Sequence, residues 1–63
     1  MTLHKVPPSA IEFGDQVVIN KHLCQVKFID GPDAAGAYDL YLHDKTTNTD
    51  RLEVVTEAVT LAL

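Results

Sequence analysis

Gly14-Asp15-Gln16-Val17-Val18-Ile19-Asn20-Lys21-His22-Leu23-Cys24-Gln25-Val26-Lys27-Phe28-Ile29-Asp30 is the stretch on which the fold turns. It holds two β-rich runs, Gln16 to Ile19 and Leu23 to Ile29, divided by the polar triplet Asn20-Lys21-His22. That pattern predicts a β-hairpin with a short loop. Gly14 can take positive φ and Asp15 can bond nearby backbone amides, so the pair turns the chain into the first strand, Gln16–Asn20. Val17-Val18-Ile19 is continuously apolar, as expected of a central or strongly curved strand. The second strand, His22–Asp30, alternates better. Its period of two puts Cys24, Val26 and Phe28 on the inward face and Gln25 and Lys27 outward, with Leu23 and Ile29 opposite the core at its ends.

Downstream, Asp30-Gly31-Pro32-Asp33-Ala34-Ala35-Gly36 is dense in turn formers and predicts a loop. A third strand spans Ala37 to His43, with Tyr38, Leu40 and Leu42 on one face and Asp39, Tyr41 and His43 on the other. Asp44 to Asn48 reads as the next turn. Thr49 to Val55 reads as a fourth strand, with Leu52 and Val54 inward and Arg51 and Glu53 outward. In the tail, Thr56 to Leu63, the period-two spacing of Val59, Leu61 and Leu63 favours a fifth strand; a short helix around Glu57-Ala58 is the rival. Upstream, residues 1–8 form an extended arm, because Pro7-Pro8 fits neither a helix interior nor a central strand. Ser9 and Glu12 have the spacing of a capping box, but Gly14 stops any helix after one turn. Ile11 or Phe13 should then plug one end of the core. Residues 9–63 are thus read as a single all-β domain, a small SH3-like, KOW-type, partly open barrel of four to five antiparallel strands. An open meander completed by dimerisation is the alternative.

Sixty-three residues bury only about 60% of the unfolded chain's surface, so the core is small. The lone Cys24 excludes an internal disulfide and suits a reducing compartment, and His4, His22 and His43 form no close ligand pair. No cofactor or metal is expected. No apolar run approaches the ~20 residues of a membrane span, and no signal-peptide pattern opens the chain, so a cytoplasmic location is expected (host cytoplasm in a viral setting). Nine acids against Lys5, Lys21, Lys27, Lys45 and Arg51 give a net charge of −4. Phosphate neutralisation needs clustered bases, so composition leans toward a protein partner.

Gly14-Asp15-Gln16-Val17-Val18-Ile19-Asn20, followed by Cys24-Gln25-Val26, resembles the N-terminal KOW-type, SH3-like domain of bacterial elongation factor P and its hypusine-bearing counterparts. The resemblance extends over about Ser9 to Val55 and implies a barrel in which Gly31–Gly36 is the tip loop. In that family the tip loop carries a modifiable Lys or Arg that reaches the ribosomal peptidyl-transferase centre. Here it offers Pro32, Asp33, Ala34 and Ala35, with no base, and the OB-type domains that follow in the family are not in this chain. The resemblance therefore implies the architecture and not the activity.

Cys24 is the only nucleophile of note, with His22 two residues away on the same strand face; an inward thiol acts as a small hydrophobe rather than a reactive group. Asp30, Asp33, Asp39 and Asp44 bracket turns or alternate outward, which turn chemistry explains without catalysis. Tyr41, outward beside His43 and near Lys27, is the better surface anchor. The candidate binding surface is Tyr41, His43, Lys27, Pro32 and Asp33. The expected function is a non-enzymatic binding module, a protein-interaction, regulatory or accessory protein of an intracellular or viral system. A KOW-type RNA-, DNA- or ribosome-binding protein is the alternative. A homodimeric structural protein using its C-terminal strand as an edge is a further one.

Overall fold

The hairpin forms, and its loop is tighter than the polar triplet suggested. In the computed structural model, which describes residues 1–63, β2 (Gln16–Ile19) pairs antiparallel with β3 (His22–Asp30), and Ile19 lies opposite His22. Only Asn20 (φ 50°) and Lys21 (φ 68°) remain in the turn. Positive φ at both central residues is the type I′ geometry, whose twist matches that of the flanking strands. Asn tolerates this conformation, whereas Lys must bring its Cβ close to a carbonyl. Lys21→Gly is therefore expected to stabilise the fold by about 0.5 kcal/mol, read as a thermal midpoint roughly 3 °C higher.

The other elements are β1 (Leu3–Val6), a single 3₁₀ turn at Pro8–Ala10, β4 (Tyr38–Asp44), β5 (Thr49–Val55) and β6 (Val59–Ala62). All six strands join one antiparallel sheet in the order β1-β6-β2-β3-β4-β5. The fold is all-β, as expected, and curls as a partly open barrel: β1 and β5 are the two edges and do not pair with each other. Its core is Ile11, Val17, Cys24, Val26, Leu40, Leu42 and Val59, with Val6, Ile19, Ile29, Val55 and Leu61 packed against it.

Several expectations are corrected. The arm is extended but not loose. Leu3–Val6 is a sixth strand, because β6 supplies a ladder for it before Pro7 ends it. The capping box does not form: Pro7 occupies the cap position of the 3₁₀ turn, with no side-chain cap bond from Ser9. Ile11 plugs the core, while Phe13 is exposed. The tail is a strand, so the helical rival falls. It lies between β1 and β2, however, and so offers no free edge for a dimer built on the C-terminal strand.

Two corrections concern which way side chains face. The β3–β4 register slips between Val26 and Phe28, so Val26 lies opposite Leu42 and Phe28 opposite Tyr41. That bulge at Lys27 breaks the period of two, turning Phe28 outward (59% exposed) and Ile29 toward the core. In β5 the expected faces are reversed. Arg51 lies opposite Leu42 and Glu53 opposite Leu40, both core residues, while Leu52 lies opposite the outward Tyr41 and Val54 opposite Asp39. Cross-strand neighbours share a face, so Leu52 and Val54 point away from the core at 51% and 60% exposure.

Candidate functional site

The same two devices, bulge and register, assemble a row of apolar side chains on the outer face of β3, β4 and β5. Phe28, Tyr41 and Leu52 stand side by side across three strands, and Val54 is two residues along from Leu52. The rings of Phe28 and Tyr41 meet with centroids 5.6 Å apart and planes tilted by 56°, within the favoured range for aromatic pairs. Carboxylates flank the stripe: Asp30 and Asp39 stand in the row that ends in Val54, and Asp50, paired with His43, stands in the row on the other side. An open groove of ≈ 570 Å³ runs along this region, lined by Lys27, Tyr41, Leu42, Asp50, Arg51 and Leu52.

Of the candidate surface residues, the structure brings Lys27 and Tyr41 into that groove. His43 lies beside it, its Nδ1 2.8 Å from Asp50 Oδ1. Pro32 and Asp33 do not line the groove. Asp33 organises its own loop instead, its Oδ1 accepting the N–H groups of Ala35 and Ala37 at 2.9 Å each. Phe28 and Leu52, which complete the surface, hold core positions in the alternating sequence pattern but are exposed in the fold. Only a register could have moved them, and Lys27 gives no sign of a bulge.

On the inner side, at the turn end of β4, lies a polar cluster that turn chemistry alone did not suggest. Asp44 is buried at 1% exposure and is fully bonded. Its Oδ2 lies 2.7 Å from His22 Nδ1 and accepts from an Arg51 guanidinium nitrogen at 3.2 Å. Its Oδ1 accepts the N–H groups of Thr46 (2.8 Å) and Thr47 (3.3 Å). The His22 hydrogen bond holds the Asp44 carboxyl below its ordinary value, helped by the two threonine amides and the His22 charge and opposed by burial. The cluster lies shallow in so small a domain, and its hydrogen bonds outweigh its burial. Arg51 also reaches Glu53, Nε to Oε1 3.8 Å.

Cys24 lies opposite Asp44 on the neighbouring strand. A Cys, a His and an Asp thus come together, yet the arrangement is not that of a thiolate nucleophile. Cys24 has no exposed surface, and its Sγ donates weakly to the His22 carbonyl at 3.7 Å rather than to the ring. Burial pushes the thiol's pKa up, reinforced by the Asp44 charge and only partly opposed by Arg51. A raised pKa keeps sulfur as the unreactive thiol. Cys24 is a core residue, as the sequence suggested. No group of three or more His, Cys, Asp or Glu side chains is placed to hold a metal ion. No helix is long and apolar enough to cross a membrane. No protein-family model matches the chain, and no curated protein matches it.

Proposed function

We propose that the chain is a non-enzymatic protein-binding module that docks its partner on the outer face of β3–β5. The observation that carries this reading is the exposed stripe Phe28–Tyr41–Leu52, with Val54 beside it, on the face turned away from the core. Water-facing aromatic and aliphatic side chains in a contiguous row gain by being covered, and Tyr and Phe are efficient anchors when that happens. The flanking Asp30, Asp39 and Asp50 favour a partner that sets Lys or Arg beside an apolar contact. The rival, a KOW-type nucleic-acid or ribosome binder, rests on the family resemblance. Against it stand the acidic flanks and the dispersal of the bases: Lys5 on β1, Lys21 in the first hairpin turn, Lys27 on the bulge, Lys45 after β4, and Arg51 engaged by Asp44.

The test begins with the unmodified chain as bait in its native host, followed by titration of the recovered partner against surface variants. Tyr41→Ala and Leu52→Ala are each expected to weaken binding about tenfold or more, as central anchors do, while Lys5→Ala leaves it unchanged. Equal affinity for all three removes the reading. In parallel, single-stranded RNA and duplex DNA are titrated at roughly 50 and 200 mM salt; tight binding lost steeply with salt would transfer the assignment to the rival.

A further inference from the structure

The two sheet edges are guarded differently. β1 has four residues and is cut off by Pro7-Pro8, which limits what can be added to it. β5 has seven, Thr49–Val55, pairs with β4 without a register slip, and contains neither proline nor glycine. Paired on one side only, it leaves the backbone N–H and C=O groups of alternate residues open to a further strand. Its remaining guard is charge. Among its side chains Asp50, Arg51 and Glu53 are ionisable, and their order decides what can approach.

We propose that β5 pairs antiparallel with β5 of a second copy of this chain, Leu52 facing Leu52 across the two-fold axis. In that register Arg51 of each copy faces Glu53 of the other. Because Arg51 and Glu53 already adjoin within one strand, the four charges form a square in which every cation has two anionic neighbours. Both side chains keep about a third of their surface free, 33% for Arg51 and 30% for Glu53, so they can make the second contact without leaving the first. The neighbouring antiparallel registers that keep the faces aligned bring like charges together, either Glu53 on Glu53 or Arg51 on Arg51, which is destabilising. Charge thus selects one register and disfavours slippage. Asp50 falls opposite Val54, with no like-charge partner. An antiparallel two-fold of this kind runs perpendicular to the sheet, the commonest closed symmetry for two copies. It therefore lays the Phe28–Tyr41–Leu52 stripes of both copies on the same face, end to end through the paired leucines. The edge shares Leu52 with the face assigned to the partner above, but Phe28 on β3 and Tyr41 on β4 lie away from the edge and stay open in the dimer.

Sedimentation equilibrium at low salt, from roughly 10 µM to 1 mM chain, is expected to show the mass rising from 6.9 kDa toward twice that value. Over the same series the amide resonances of β5 are expected to shift with concentration, and those of β1 to stay fixed. Glu53→Arg sets cation against cation in the proposed register and is expected to weaken association at least tenfold, with the monomer's spectrum otherwise kept. Raising salt on the unmodified chain should weaken it in the same direction, a readout that does not depend on the variant folding. A single 6.9 kDa species at all concentrations overturns the proposal, as do shifts confined to β1. Unchanged association both in Glu53→Arg and at high salt overturns the register. A monomeric chain that still binds its partner through Tyr41 overturns only the dimer, so the two readings fail separately.

Discussion

Asp44→Ala is expected to lower the thermal midpoint by more than about 10 °C, the largest loss from any single polar side chain in the domain. One carboxylate serves four donors here: His22, Arg51, and the amides of Thr46 and Thr47. Truncating it orphans all four and leaves the half-buried Arg51 without its main counter-charge. It also releases the turn that leads into β5. A circular-dichroism melt checks the size of the effect; a midpoint within a few degrees of the wild type would mean that the threonine amides and Arg51 are satisfied elsewhere. The same carboxylate dictates an acid limb. Its folded pKa lies below the ordinary 3.8, so its contribution is present above that value and is lost as pH falls from there through the lower folded value. Urea unfolding between about pH 5 and pH 2 should show this decline, and Asp44→Asn, which cannot titrate, should flatten it.

Gly31→Ala is the second large effect, expected to cost about 2–4 kcal/mol. The domain's whole stability is on the order of 3–9 kcal/mol for its length, so the variant should be partly unfolded at physiological temperature. Two causes add. Gly31 sits at φ +125°, where a side chain is strained, and an added Cβ would lie 2.8 Å from the Ala37 carbonyl oxygen and 3.1 Å from Tyr38 Cα. Both obstacles are backbone. The Ala37 carbonyl cannot easily retreat, because it accepts the Asp33 N–H at 2.9 Å. Gly36→Ala is the control. Its φ is +82° but nothing lies within 4 Å of the added atom, so only the conformational cost of about 1 kcal/mol remains. Equal losses in the two variants would show that steric contact at Gly31 plays no part.

Strand positions were legible because each run of β-formers is bounded by turn chemistry: Gly14-Asp15 before β2, Asn20-Lys21 after it, Asp30 to Gly36 before β4. β1 was hidden. Leu3-His4-Lys5-Val6 carries too little apolar signal to announce a strand, and it becomes one only because β6 returns beside it. The faces of β5 are hidden in the sequence for a related reason. Leu52 and Val54 are the more apolar choice for a core, yet Arg51 must turn inward to meet Asp44, and a period of two then carries the leucine and valine out. Asp44 itself stands among turn formers, where an aspartate is unremarkable in sequence. Tyr41 and Lys27 could be placed on the surface from alternation alone. Their apolar companions could not, since one inserted residue at position 27 decides which side Phe28 takes.

The return of β6 also sets an order of assembly. β2 through β5 join neighbours in sequence, through turns short enough to close at little entropic cost. β1 has no such neighbour. Its ladder lies nearly the whole chain away, with Thr2 and Leu63 exchanging backbone hydrogen bonds at 3.0 and 2.9 Å. During synthesis β1 is therefore made well before the strand it pairs with, and it finds its place only after β6 has followed. Until β6 has emerged, the far edge of β2 waits unpaired beside the finished hairpin.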